Sequence, residues 1–278
     1  MLYILGDIGS FNKLFLSLVK DINNKININD TIILLGDNFY PMGVKDINDP
    51  KFLFFKNNLS EITKFAVLGN HDYQLNPLAQ IKFDKYNWKM PNWYYFQKIE
   101  DMGFWFIDTC QLVTFGNTKR PHPCGSVTKN CIENLHKSSL ENIINKQLTW
   151  LSESLEKSKL RCKIVVGHYP IVTNGVYKYN PNIKALNKLL FPIFKKYNVK
   201  LYISGHEHNS QYITLKEEEY VLHNIINGNT SYTRPCNNTI EGEFFYNKEN
   251  CYVNLQLIEE NLEITIRNRS EIIKKIVI

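Results

Sequence analysis

The chain has 278 residues, 44% hydrophobic and 13% aromatic, enough to bury a sizeable core in one large domain. Charged residues are an ordinary 22% and the formal net charge is +6. That balance could steer an anionic substrate toward a cleft, but with no basic run and no recognised module it excludes a nucleic-acid-binding protein. No apolar run is long enough to span a bilayer. Met1-Leu2-Tyr3-Ile4-Leu5-Gly6-Asp7 carries neither a basic segment nor a cleavable apolar one. The expectation is a soluble protein of open compartment, cytoplasmic, or secreted if a signal was removed.

In chain order, Leu2–Leu5 reads as a strand that breaks at Gly6-Asp7-Ile8-Gly9. Ser10 to Asn23 reads as a helix, with Ser10 as its cap and Phe11, Leu14, Phe15, Leu18 and Val19 at helical spacing. A second strand, Thr31–Leu35, runs into Gly36-Asp37-Asn38-Phe39-Tyr40. Phe52–Leu59 reads as a short helix, and a third strand ending at Leu68 meets Gly69-Asn70-His71-Asp72. This β-α-β-α-β opening predicts a parallel sheet with right-handed crossovers.

Asn76 to Lys89 reads as helix or loop. Trp93–Ile99 and Gly103–Asp108 alternate like a hairpin. Gln111 to Cys131 is the longest loop and carries Lys119, Arg120 and His122. Leu135 to Ser158 reads as one long helix, with Ile144, Leu148, Leu151 and Leu155 on one face. Strand Ile164–Val166 leads to Gly167-His168-Tyr169-Pro170. Ile183 to Tyr197 reads as a helix kinked at Pro192. Lys200–Ile203 leads to Ser204-Gly205-His206-Glu207-His208-Asn209. Gln211–Thr214, Tyr220–Ile226, Cys251–Ile258 and Leu262–Arg267 alternate and predict a second sheet packed on the first, with Glu259-Glu260-Asn261 as a turn. With no linker or repeat, residues 1–278 are expected to form a single domain.

Five strand ends thus share one pattern: an apolar run, a glycine, then a side chain able to bind metal. Strands of an α/β sheet present ligand-binding loops at their carboxyl ends. Five such ends on one edge would bring Asp7, Asp37, Tyr40, Asn70, His168, His206 and His208 together. Six cysteines without a Cys-x-x-Cys pattern point to thiols rather than zinc or redox chemistry, with a local Cys124–Cys131 bridge as the alternative.

This ordered series resembles the metallophosphoesterase superfamily, and Asp37-Asn38-Phe39-Tyr40 narrows the resemblance to the purple, tartrate-resistant acid phosphatases. Phe104–Asp108-Thr109, Gln147–Leu151, His168-Tyr169-Pro170 and His206–Tyr212 look like the same family. The resemblance implies an α/β sandwich of two mixed β-sheets flanked by helices. It also implies two metal ions sharing Asp37. One would take Asp7, Asp37, Tyr40 and His208, the other Asp37, Asn70, His168 and His206. A carboxylate–phenolate set prefers a trivalent ion and the Asn/His set a divalent one, giving Fe3+ with Fe2+, Zn2+ or Mn2+.

The implied activity is acid phosphatase action on phosphate monoesters, by in-line attack of a metal-bound hydroxide on a phosphorylated small molecule or phosphoprotein. The protein is expected to be a monomer with neither nucleic acid nor a membrane as partner. His71 would hydrogen-bond the phosphate, and Asp72 would orient His71. The family usually carries a further histidine several residues after the His168 block, and Val172–Tyr179 has none. Tyr177 falls nearest by count and is a poorer acid. The alternatives are a phosphodiesterase, a nucleotide or phosphoprotein phosphatase using the same residues, or a scaffold that keeps the fold without catalysis.

Overall fold

A computed structural model describes residues 1–59, 61–113, 129–234, 244–246 and 249–278. Two seven-stranded mixed sheets face one another. The first runs in the order β14 (Ile272–Val277), β13 (Asn261–Arg267), β12 (Tyr252–Ile258), β1 (Leu2–Leu5), β2 (Thr31–Leu34), β3 (Thr63–Ala66), β4 (Trp88–Lys89). The second runs β11 (Phe244–Tyr246), β9 (Ser210–Glu217), β10 (Tyr220–Asn227), β8 (Leu201–Ser204), β7 (Cys162–Val166), β6 (Met102–Phe106), β5 (Tyr95–Ile99). Strands β1 to β4 are parallel, as are β6, β7, β8 and β10; the remaining pairings are antiparallel. This is the two-sheet α/β fold that the motif series implies.

Around the sheets lie helices α1 (Lys13–Asn23), α2 (Leu53–Leu59), α3 (Pro77–Lys82), α4 (Thr109–Val113), α5 (Lys129–His136), α6 (Leu140–Lys157) and α7 (Pro181–Lys196). Strands β1, β2 and β8 are buried along their whole length, so each reads as a largely apolar run rather than an alternation. One buried cluster joins Ile4, Ile33 and Val253 of the first sheet to Phe104, Val165 and Ile203 of the second.

Several boundaries differ from the sequence reading. Helix α1 starts later, because Asn12 rather than Ser10 caps it, its side chain accepting from the Phe15 amide at 2.9 Å. The expected long helix is two: Ser139 opens α6 by accepting from the Asn142 amide, and residues 137–139 separate it from α5. Pro192 lies inside α7. The late strands do not build a sheet of their own. Strands β9 and β10 extend the second sheet, while β12 crosses to pair antiparallel with β1, Leu2 opposite Leu255. Consequently the five strand ends do not line one edge. They belong to two sheets whose carboxyl ends face a common cleft.

Candidate metal centre

The loops after β1, β2 and β3 carry Asp7, Asp37 with Tyr40, and Asn70; those after β7 and β8 carry His168, and His206 with His208. Tight local backbone makes the convergence feasible. Gly36 adopts φ +87°, and a Cβ on Gly69 would stand 2.2 Å from both the amide nitrogen and Oδ1 of Asp37. Asp7, Asp37, His206 and His208 themselves take φ between +52° and +70°, a region where Asp and His are enriched among non-glycine residues. Thr109 sets the His168 turn, its hydroxyl oxygen accepting from the amides of His168 and Tyr169 at 3.1 and 2.9 Å.

All seven expected ligands meet, and they form two groups. In the first, the Tyr40 hydroxyl lies 3.1 Å from Asp7 Oδ1, from Asp37 Oδ2 and from His208 Nε2, with His208 Nε2 3.2 Å from Asp7 Oδ1. In the second, Asn70 Oδ1 lies 3.1 Å from His168 Nε2 and from His206 Nδ1, which are 3.3 Å apart; Asp37 Oδ1 is 3.6 Å from His168 Nε2. Asp37 gives one oxygen to each group. Apart from the half-buried Tyr40, all are buried.

The donor set fits a cation in each group. One hydroxyl hydrogen on Tyr40 satisfies only one of its three neighbours, leaving lone pairs crowded together. His168 Nδ1 is 2.8 Å from the Leu35 carbonyl and donates its proton there, so Nε2 of the neutral ring points a lone pair inward. Asp7, Asp37 and His208 satisfy the geometry of a metal-holding cluster. Electrostatics agree. Burial, then the Asp37 and Asp7 charges, push the Tyr40 phenol well above its ordinary pKa, so phenolate needs a compensating positive charge. Burial alone would raise the Asp7 carboxyl, but hydrogen bonds from the His208 ring and the His206 amide help hold it below its ordinary value.

One expectation about the flanking residues needs correction. Asp72 does not orient the His71 ring. It is fully buried and accepts from the amides of Gly69, Asn38 and Phe39 and from the Gln80 side chain. It therefore ties the β2 loop to the β3 loop. Burial and then Asp37 push it up to about 6. The His71 ring instead places Nδ1 2.6 Å from the Pro41 carbonyl and Nε2 3.9 Å from Asp37 Oδ2, at the edge of the centre. Adjacent residues in a turn point apart, which sequence adjacency conceals.

Tyr177 does stand at the site: its ring stacks on His206, with centroids 4.5 Å apart. Sequence reasoning missed the stretch after β10. The Ser231 hydroxyl donates to the Asp7 carbonyl, the Tyr232 ring stacks on His208, and Arg234 donates to the Tyr177 hydroxyl at 3.1 Å. A serine, a tyrosine and an arginine in a polar segment give no spacing signal. It also missed Glu207 as a clamp, whose buried carboxylate accepts from the Thr173 hydroxyl and the Tyr177 amide. His122 and the Cys124 half of the alternative bridge lie outside the described residues.

The chain belongs to the calcineurin-like phosphoesterase family, whose model matches residues 2–210. Within that family it is similar to purple acid phosphatases. It is 30% identical to tartrate-resistant acid phosphatase type 5 of Homo sapiens over 198 residues, 66% of this chain and 57% of the human protein. It is 28% identical to purple acid phosphatase 3 of Arabidopsis thaliana, over 75% of this chain and 57% of that one. The match thus spans little more than half of these relatives. Among solved structures, GAP50, the anchor in the inner membrane complex of Plasmodium, superposes with a TM-score of 0.72 at 25% identity, covering 99% of this chain and 86% of that one. Purple acid phosphatase PPD1 from yellow lupin seeds shares the fold, with a TM-score of 0.67 at 13% identity over 99% of this chain and 53% of that one. Among the described residues no helix is long and apolar enough to cross a membrane.

Proposed function

We propose that the chain is a metal-dependent acid phosphatase acting on phosphate monoesters of small molecules or proteins. Asp7, Asp37, Tyr40 and His208 would hold one ion, and Asp37, Asn70, His168 and His206 the other. The observation carrying this reading is the division of the two Asp37 oxygens between separate groups of converging lone pairs. The hard oxygen-rich group suits Fe3+, and the Asn/His group Fe2+, Zn2+ or Mn2+. When bound, such ions offset charge on a phosphoryl group and make water more acidic.

The chain's own residues supply the rest. His71, fixed through Nδ1 by the Pro41 carbonyl, turns Nε2 toward the cleft. When protonated there, it donates to a phosphoryl or leaving oxygen. The Tyr177 hydroxyl accepts from Arg234 and can turn its hydrogen to a phosphoryl oxygen. Purified protein is expected to carry two metals per chain, to absorb visible light through phenolate on Fe3+, and to hydrolyse p-nitrophenyl phosphate. Asp37→Asn should lose both metals and the activity; Tyr40→Phe should lose the visible band. Full turnover in Asp37→Asn would refute the reading.

A second reading is a docking platform, favoured by the superposition on the Plasmodium anchor over 86% of that chain. It predicts a metal-loaded protein without turnover of any phosphomonoester.

A further inference from the structure

The segment after β10 runs along the mouth of the centre and brings a cation to it. The Arg234 amide donates to the His208 carbonyl at 2.7 Å, which pins this residue to the loop carrying two ligands. Its guanidinium donates to the Tyr177 hydroxyl at 3.1 Å and lies over the Tyr177 ring, 5.7 Å from the centroid. That ring is in turn stacked on His206. The backbone of Arg234 is therefore tied to the His208 loop, and its guanidinium is held on the ring that stacks on His206.

We propose that Arg234 is a substrate-binding residue of this centre, its planar guanidinium taking the phosphoryl oxygens of a dianionic monoester while Tyr177 positions it. The inference rests on the phosphatase reading above. Its chemistry is that of a fork of donors matched to phosphate oxygens, which a lysine ammonium does not reproduce. The ligand groups of the centre converge as acceptors. A phosphate entering it needs donors on the side away from the ligands, and His71 and Arg234 flank the cleft from loops of the first and second sheets respectively. A monoester carries one more negative charge than a diester, so Arg234 also sets preference between the two.

The test uses the metal-loaded full chain and inorganic phosphate as probe, measured by calorimetric titration and as an inhibitor of p-nitrophenyl phosphate hydrolysis. Arg234→Ala should weaken phosphate about ten- to a hundredfold. KM should rise by a similar factor and preference for monoester over methyl p-nitrophenyl phosphate should fall, with metal content unchanged. Should the alanine variant lose metal, Arg234→Lys decides. It keeps the charge without the fork, and must weaken phosphate severalfold with both metals retained. Phosphate affinity within about twofold of wild type in a metal-loaded, active variant overturns the assignment and leaves the phosphatase reading intact. Wild-type protein that binds phosphate through Arg234 but turns over no ester supports this site and refutes that reading. Wild-type protein that binds no phosphate overturns both.

Discussion

At the residue scale, two side chains make separable predictions. The His71 ring meets the centre at its edge, through the Asp37 contact at 3.9 Å and its tilt against Tyr40, while the His71 backbone amide, which a side-chain change leaves in place, donates to Asp37 Oδ1 at 2.9 Å. His71→Ala is therefore expected to keep both metals and lower kcat by about 10²–10⁴-fold; loss of metal on elemental analysis would make it a ligand support instead. Lys64 concerns stability. It is fully buried in β3, and its amino group donates to the Leu59 and Ile62 carbonyls. Burial lowers its pKa from 10.5 to about 7. Between those values the unfolded chain binds the proton and the folded chain does not, so stability rises with pH across that window and is lost as pH falls through it. Lys64→Met should abolish this component. Urea unfolding of both proteins from about pH 7 to about pH 9 checks it: the wild type should gain stability relative to the variant as pH rises.

At the element scale, the break between α5 and α6 depends on one cap. Ser139→Ala should cost about 1 kcal/mol, read as a lower urea midpoint; an unchanged midpoint would mean the helix tolerates fusion. Strands β1, β2, β3, β7 and β8 were legible in the sequence because each is an apolar run stopped by glycine. The seven converging side chains were legible for the same reason: the pattern repeats at five strand ends. The α5–α6 break was not legible, since Lys137-Ser138-Ser139 falls within an otherwise helical spacing and only the cap geometry distinguishes it. The sheet membership of β9 to β13 was hidden too. Alternation records which face is buried but not which neighbour supplies the hydrogen bonds. Adjacency pairs Asp72 with His71, whereas its partners are amides of the β2 and β3 loops. Arg234 had no repeated context to single it out.

At the scale of the molecule, the centre joins two sheets. Asp7, Asp37, Tyr40 and Asn70 follow strands of the first, and His168, His206 and His208 follow strands of the second. Ions held there would act as clasps across the cleft. Metal in thousandfold excess over its Kd adds about 4 kcal/mol of stability, so chelation should lower Tm by on the order of 10 °C. Identical melting curves with and without chelator would show that the sheets hold together unaided.

The pairing of β1 with β12 carries a kinetic consequence. Every proposed ligand lies at or before His208, yet β1, the strand that leads to Asp7, keeps one side open until β12 (Tyr252–Ile258) has been synthesised. A nascent chain thus completes its chemistry-bearing loops while an apolar strand edge still awaits its neighbour, the kind of edge that recruits other chains. Contacts between residues as remote as Leu2 and Leu255 also slow the search for the native arrangement. Refolding from urea should therefore be slow and concentration-sensitive, with yield falling as protein concentration rises; rapid, concentration-independent recovery would show that the first sheet closes early.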